Sequence, residues 1–210
     1  MKHRYRKKVV LVFFVAVVLL IAGGAAWLWM KKTLTIRDVT AYGKYFGSDG
    51  EHRRNSLIVN DIFPEKLPES AVVEKFCYQR TDLIDLCDTA VLVYTCDAED
   101  YDDEIARLAQ MGTTEKCAYG VYGITGFPYE VCAVVADDYY GIVYAMTEEA
   151  EHRIIYVENT YCNYFSDHDY EEVIGAEYLP FGYDATRNNP VRAHFEETGG
   201  DTETNRQSDI

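Results

Sequence analysis

The chain has 210 residues and a formal net charge of −15 at pH 7, from 20 Lys and Arg residues against 35 Asp and Glu residues. Residues 1–32 hold seven of the basic residues and no acidic one, so the remaining 178 residues carry a formal charge of −22. Affinity for phosphate backbones comes from Lys and Arg, so this acidity excludes a nucleic-acid partner. A length of 178 residues suits one domain with a core.

Residues 9–30 (VVLVFFVAVVLLIAGGAAWLWM) contain no charged residue. Crossing the hydrocarbon core takes ~20 apolar residues, so we expect a single-pass transmembrane helix, a signal-anchor, with the lipid bilayer as partner. Five basic residues precede it in a stub at 1–8 and two follow, which predicts a cytoplasmic N-terminus and an extracytoplasmic domain at the cell membrane. A cleaved signal peptide, cut near the small residues 22–26, is the alternative, and it also exports the rest of the chain.

The first half of the remainder predicts a short helix, a connector and two strands. Apolar residues at helical spacing over 36–46 predict a helix that Asp38 caps. Residues 47–56 predict a polar loop, and the two prolines in 63–69 predict a rigid connector. Alternation predicts a strand near 71–79, and the apolar run 89–96 predicts a second strand that is more buried.

The second half predicts one helix and three clear strands. Asp97 to Gln110 has an acidic first turn and an apolar stripe, which are typical of a helix. Residues 117–127 are rich in Gly and Tyr and predict an irregular strand. Strands are predicted at 130–136, 139–147 and 153–161, followed by a short helical turn at 169–173 and an apolar connector at 178–183.

These elements predict an α+β domain over residues 31–183. Its antiparallel sheet has about five strands, with one or two helices on one face, and a single transmembrane helix precedes it. Residues 184–210 are polar and predict a disordered tail. The 18 tyrosines of the chain favour filled strand positions over a dedicated binding surface. The six cysteines leave free buried thiols and disulfides equally open.

Two groups of residues have the composition of a reactive or binding site. Cys162, His168 and Asp169 have the residue types of a thiol nucleophile, its base and an orienting group, but no hydrolase signature accompanies them. The acidic residues 97–104 have oxygen ligands for calcium, but they lack the spacing of an EF-hand loop, and the dipole of the predicted helix is the preferred explanation, which needs no metal. The histidines show no metal-binding spacing. The sequence therefore assigns no catalytic, cofactor-binding or metal-binding residue.

Four segments resemble a group of small membrane-anchored proteins of Gram-positive gut bacteria: DVTAYGKYFGSDGEHRRNSL, IFPEKLPES, VYTCDAEDYDDEIARL and YEVCAVVADDYYGIVYAM. The resemblance covers residues 36–183. The group has no assigned function, so the resemblance implies a bacterial cell-surface location and no catalytic residues.

The leading functional hypothesis is a non-enzymatic binding or interaction domain with a protein or cell-envelope partner. It rests on the predicted membrane anchor, on the missing catalytic motifs and on the tyrosine-rich strands. A surface hydrolase or thiol enzyme using Cys162 and His168, and a structural subunit of an envelope assembly, are the alternatives.

Overall fold

The computed structural model describes residues 2–30, 33–58, 61–81, 86–113, 116–161 and 168–198. The chain divides into two compact units, Met1–Leu34 and Thr35–Ile210. The elements in chain order are α1 (Lys2–Met30), β1 (Thr33–Ile36), α2 (Tyr42–Phe46), α3 (Glu51–Asn55), β2 (Val72–Thr81), β3 (Cys87–Thr95), α4 (Ala98–Leu108), α5 (Lys116–Gly120), β4 (Glu130–Asp137), β5 (Gly141–Glu148), β6 (Arg153–Tyr161), α6 (Tyr170–Ile174) and α7 (Pro190–Glu197). Short 3-10 turns lie at Val39–Ala41, Glu149–Glu151 and Ala176–Tyr178.

The N-terminal apolar stretch lies in α1. Among the residues that the structure describes, no helix is both long and apolar enough to cross a membrane. This finding corrects the prediction of a membrane protein with a single-pass transmembrane helix at residues 9–30. The cellular location of the acidic domain stays a prediction.

The sheet has six strands in the order β1-β2-β3-β6-β5-β4. The four pairings along the sheet from β2 to β4 (β2 with β3, β3 with β6, β6 with β5, and β5 with β4) are antiparallel. The predicted α+β class and antiparallel sheet are therefore confirmed, and β1 raises the number of strands above the expected five. The five predicted strands correspond to β2 to β6 with ends that differ by a few residues.

Apolar side chains cover both faces of the sheet, which corrects the prediction of helices on one face. One face packs against α2 and α4, through residues such as Phe46 and Leu108. The opposite face packs against α6 and the segment after α5, through residues such as Ile174 and Tyr122. The central strands β3, β5 and β6 are buried at nearly every position, as a sheet covered on both faces requires.

Tyrosines fill both of these cores, as the composition predicts. Six of them are at most 2% exposed and lie on strands or directly against them: Tyr78, Tyr94, Tyr122, Tyr144, Tyr156 and Tyr161. The aromatic side chains therefore account for much of the volume between the sheet and its covering segments.

Capping side chains fix the helix starts that the sequence predicts. The Asp38 carboxylate accepts a hydrogen bond from the Thr40 backbone N–H at 2.9 Å, at the start of the first 3-10 turn. The Asp97 carboxylate accepts from the Asp100 backbone N–H at 3.0 Å, at the start of α4. Both contacts satisfy N–H groups that a helix start leaves without an internal partner.

Three segments differ from their predicted structure. Residues 117–127 contain the end of α5 and a turn rather than a strand, because Gly123 has a φ of 73°, which an extended strand cannot accommodate. The predicted polar loop 47–56 contains α3. The predicted disordered tail 184–210 contains α7, whose first turn is capped by the Asn189 side chain and opened by Pro190.

Candidate functional site

A group of buried polar side chains lies on the face of the sheet that α2 and α4 cover. The strand register places Arg80 opposite Asp88, Asp88 opposite Thr160, and Ala90 opposite Glu158. Residues two apart on a strand share a face, so the register brings these side chains to one end of three adjacent strands. The polar cluster consists of Tyr78, Arg80, Asp88, Glu158 and Thr160 from the sheet, with His52 and Ser56 from the segment that covers it.

His52 reaches the polar cluster because α3 is held against the aromatic layer. A Cβ at Gly50 would lie 2.1 Å from the carbonyl oxygen of Tyr45, so only glycine permits this close approach at the start of α3. Arg53 donates from Nε to the carbonyl oxygen of Phe46 at 3.1 Å. The His52 ring stacks on the Phe46 ring with centroids 4.5 Å apart, which fixes the plane of the imidazole.

His52 and Glu158 meet with almost no solvent exposure, 5% and 0% of their side chains. His52 Nε2 lies 2.7 Å from Glu158 Oε2. Neither atom has a hydrogen-bond partner within the described part of the chain, because the ring N–H is not directed at the oxygen. The other oxygen, Oε1, faces the hydroxyl groups of Ser56 at 3.4 Å and Thr160 at 3.3 Å.

Asp88 is the second buried carboxylate, with a side chain that is 0% exposed. Its Oδ1 accepts a hydrogen bond from the Tyr78 hydroxyl at 2.8 Å. Arg80 Nη1 donates to Oδ1 and Oδ2, each at 3.2 Å. Two carboxylates, one guanidinium and one imidazolium would together be neutral, which is the condition for burying charges at an acceptable cost.

Burial and neighbouring charges shift the pKa values of His52 and Asp88. Burial opposes the charged form of His52, but the charge of Glu158 and their contact outweigh it and raise the pKa of His52. Burial raises the pKa of Asp88 to about 6, and the Glu158 charge acts in the same direction. His52 and Arg80 partly offset that rise. His52 and Asp88 therefore hold their protons more tightly than they would in water.

The donor atoms of His52, Asp88 and Glu158 all lie within 4.8 Å of one another. Imidazole nitrogen and carboxylate oxygen are the ligand types of zinc and related divalent ions. The three side chains are at most 5% exposed, so the cluster is closed to a substrate molecule. Its chemistry is limited to holding a proton or a cation.

The residues of the predicted thiol site are only partly described. Cys162 lies outside the described residues, so its pairing with His168 stays a prediction. Burial lowers the pKa of His168, although Asp169 and Glu172 act in the opposite direction. Asp169 Oδ1 accepts from the Glu172 backbone N–H at 3.1 Å and so caps α6. The role observed for Asp169 is therefore structural.

The acidic residues 97–104 make structural contacts. Asp97 caps α4, Asp100 accepts from the Ser70 hydroxyl, and Glu104 pairs with Arg107 within the helix. The helix-dipole explanation of this acidity agrees with these contacts.

Three of the cysteines with described side chains are free thiols: Cys77, Cys96 and Cys132. Burial raises the pKa of Cys96 and of Cys132 to about 11, and it also raises the pKa of Cys77. Thiols of this kind behave as small hydrophobic residues rather than as nucleophiles.

An exposed apolar surface lies on the opposite side of the sheet from the polar cluster. We define it by Phe181, Tyr139 and Val191, which are 57%, 43% and 37% exposed. Gly123 lies close to Val191 and to Gly182, the residue after Phe181, because a Cβ at Gly123 would lie 3.8 Å from Val191 Cγ2 and 2.7 Å from the Gly182 carbonyl oxygen. The Tyr139 ring centroid lies 5.8 Å from the guanidinium carbon of Arg192, the neighbour of Val191.

No protein-family model, curated protein or solved structure matches this chain. The resemblance of residues 36–183 to anchored bacterial proteins therefore stays a prediction. Sequence reasoning did not find the polar cluster, although one signal was present: Asp88 directly precedes the predicted strand 89–96, and Glu158 lies within the predicted strand 153–161.

Proposed function

We propose that this chain is a non-enzymatic binding domain whose apolar surface docks a protein segment. The segment would carry an apolar side chain flanked by Lys or Arg. The observation that carries the proposal is the exposure of three large side chains, Phe181, Tyr139 and Val191, together with the Tyr139 ring 5.8 Å from the guanidinium carbon of Arg192. Aromatic residues and Arg are enriched at the centres of protein interfaces, whereas an isolated exposed apolar residue needs no explanation.

The backbone beneath Phe181 is held rigidly. The Thr125 N–H donates to the carbonyl oxygen of Phe181 and the Phe181 N–H donates to that of Gly126, both at 2.9 Å. Gly123 and Gly182 have φ values of 73° and 76°, and their backbones are in close contact. A preorganised surface loses little conformational entropy when a partner binds, which favours a role in recognition.

Arg192 is fixed beside Tyr139 by contacts on several sides. Its Nε donates to Glu196 at 2.7 Å, and Nη1 donates to the carbonyl oxygen of Asp138. The Phe195 ring centroid lies 5.7 Å from its guanidinium carbon. The side chain therefore supports the tyrosine ring, and its charge is already balanced by Glu196.

Acidic residues surround the apolar surface and indicate the charge of the partner. Asp138 directly precedes Tyr139, and Asp184 lies three residues after Phe181. The chain as a whole has a net charge of −15. Complementary charge steers association and excludes wrong partners, so a basic segment fits this rim better than an acidic one.

The test uses a random peptide library displayed on phage, with the full-length chain as bait. Phe181→Ala removes the most exposed ring of the surface without touching its backbone hydrogen bonds. Val72→Ala is the matched control, because Val72 is 65% exposed and lies on β2. We expect peptides with an apolar residue flanked by Lys or Arg, with affinity that falls at least tenfold for Phe181→Ala and is unchanged for Val72→Ala.

Two results would overturn the proposal. One is a set of selected peptides that bind the wild-type chain and Phe181→Ala equally well. The other is self-association in sedimentation experiments that Phe181→Ala abolishes, because a second copy of the chain would then occupy the surface. Circular dichroism of both variants shows whether the fold is retained.

A further inference from the structure

We propose that the polar cluster binds one divalent transition-metal ion of the zinc type, with His52, Asp88 and Glu158 as its protein ligands. The ion would join α3 to strands β3 and β6 as a structural link. This inference is independent of the proposed docking function, because it concerns buried residues that no partner could touch.

The first support is the pattern of satisfied and unsatisfied lone pairs. A carboxylate has about four acceptor positions. On Glu158, Oε1 receives two hydroxyl groups, whereas Oε2 receives no hydrogen bond within the described ranges. On Asp88, Oδ1 receives Tyr78 and Arg80, whereas among the described residues Oδ2 receives Arg80 only. One oxygen of each carboxylate thus keeps acceptor capacity.

The second support is the orphaned imidazole nitrogen. His52 Nε2 is buried and lies 2.7 Å from Glu158 Oε2 without hydrogen-bond geometry. A proton shared by this pair would favour a nearly linear N–H···O arrangement. A bound cation would not require a linear arrangement of the nitrogen and the oxygen, because the lone pairs of both atoms would be directed at the ion rather than at each other.

The third support is the fit of the three donor atoms to zinc. Tetrahedral zinc with ligands at 2.0–2.1 Å places its donor atoms roughly 3.3 Å apart. The observed separations begin at 2.7 Å for the His52 and Glu158 atoms and stay within 4.8 Å for the whole set. Shifts of well under 2 Å therefore bring all three atoms to an ion.

The neighbours of these ligands have the arrangement that metal sites use to orient their ligands. Tyr78 and Arg80 hold the Asp88 carboxylate, and Ser56 and Thr160 face that of Glu158. Such outer contacts fix ligand direction and are a regular part of protein metal sites. The aromatic stacking of His52 on Phe46 fixes the third ligand in the same way.

The experiment begins with full-length protein stripped by EDTA and dialysed against zinc sulfate. Zinc content is measured by mass spectrometry, and thermal unfolding is followed by circular dichroism. We expect the wild-type chain to bind one zinc ion. His52→Phe, which keeps an aromatic ring in the stack, and Glu158→Gln should each lose that ion. His194→Phe is the matched control, since this histidine lies on the exposed surface of α7, and it should keep the ion. At free zinc about 100 times the Kd, the Tm of the wild-type chain should rise by roughly 5–10 °C.

X-ray absorption of the zinc-loaded wild-type chain tests the site without any variant. Ligands of nitrogen and oxygen at about 2.0–2.1 Å support the proposal, whereas a sulfur shell at about 2.3 Å would place the ion on cysteines and overturn it. Equal zinc contents in the folded wild-type chain and folded His52→Phe would also overturn it, as would a wild-type chain that binds no zinc. Manganese, magnesium and calcium, tested in parallel, should bind more weakly, because imidazole is a poor ligand for the harder ions.

Discussion

We expect a single substitution in the buried pair His52 and Glu158 to destabilise the chain. The effects of the two single substitutions are not expected to add in the double variant. Their side chains are 5% and 0% exposed and 2.7 Å apart. In metal-free protein, His52→Phe leaves the Glu158 carboxylate facing only two hydroxyl groups at 3.3 and 3.4 Å. Removing one partner of a buried ion pair costs about 3–5 kcal/mol, and we expect a loss in that range.

Glu158→Gln removes the charge and nearly preserves the shape. The orphaned imidazole then costs about 1–3 kcal/mol, so the single variant should lose about that much stability. The double variant His52→Phe/Glu158→Gln has no buried charge at this point and should lose clearly less than the two single variants together. A coupling of at least about 1 kcal/mol is expected for side chains in direct contact.

The free energy of unfolding is measured by urea denaturation in EDTA, with circular dichroism as the signal. A shift in the midpoint at constant m-value reports a change in stability rather than in the denatured state. Additivity of the two substitutions within about 0.5 kcal/mol would refute the reasoning, because that is the behaviour of residues that do not interact.

Three further predictions concern pH and packing. The pKa values of Asp88 and His52 are raised in the folded state, so the folded chain binds more protons than the unfolded chain. Its metal-free stability should therefore fall as pH rises, between pH 3.8 and about 6 for Asp88 and above pH 6.5 for His52. Urea unfolding over a pH series checks this, and His52→Phe should make the fall above pH 6.5 less steep. Leu108→Ala empties a fully buried position and should cost about 2–5 kcal/mol in the same assay. Gly141→Ala should lower stability by about 1–3 kcal/mol, because the φ of Gly141 is 119° and the new Cβ would lie 2.2 Å from a carbonyl oxygen of the neighbouring strand. Its control is Gly43→Ala, which places a Cβ in open space within α2 and should raise stability by up to about 1 kcal/mol.

The regular elements were predictable from local patterns. The strand β3 follows from the apolar run around Val91, and α4 follows from Asp97 as a cap and from its apolar stripe. Coverage of both sheet faces was not predicted, although the unbroken burial of β3 is the signature of that arrangement. A single strand shows which of its residues are apolar, but it does not show what lies on either side.

The polar cluster could not be predicted because it depends on two strand registers and on the position of the segment that carries His52. Asp88 and Glu158 are 70 residues apart in the chain, and only the pairing of β3 with β6 brings them to one end of the sheet. His52 lies in a segment whose composition predicts a loop, and its position depends on Gly50 and the aromatic layer. Local periodicity contains none of this information, since the contacts are long-range.

The sheet itself separates the two proposals, so that each can fail alone. The polar cluster faces α2 and α4, whereas Phe195 and the segment beside Phe181 pack against the opposite core. Substitutions without shared partners usually act independently, so His52→Phe should leave peptide binding unchanged and Phe181→Ala should leave zinc content unchanged. Loss of peptide binding in the folded His52→Phe variant would mean that the cluster sets the shape of the apolar surface through β3 and β6. In that case the metal site would regulate binding rather than only stabilise the fold.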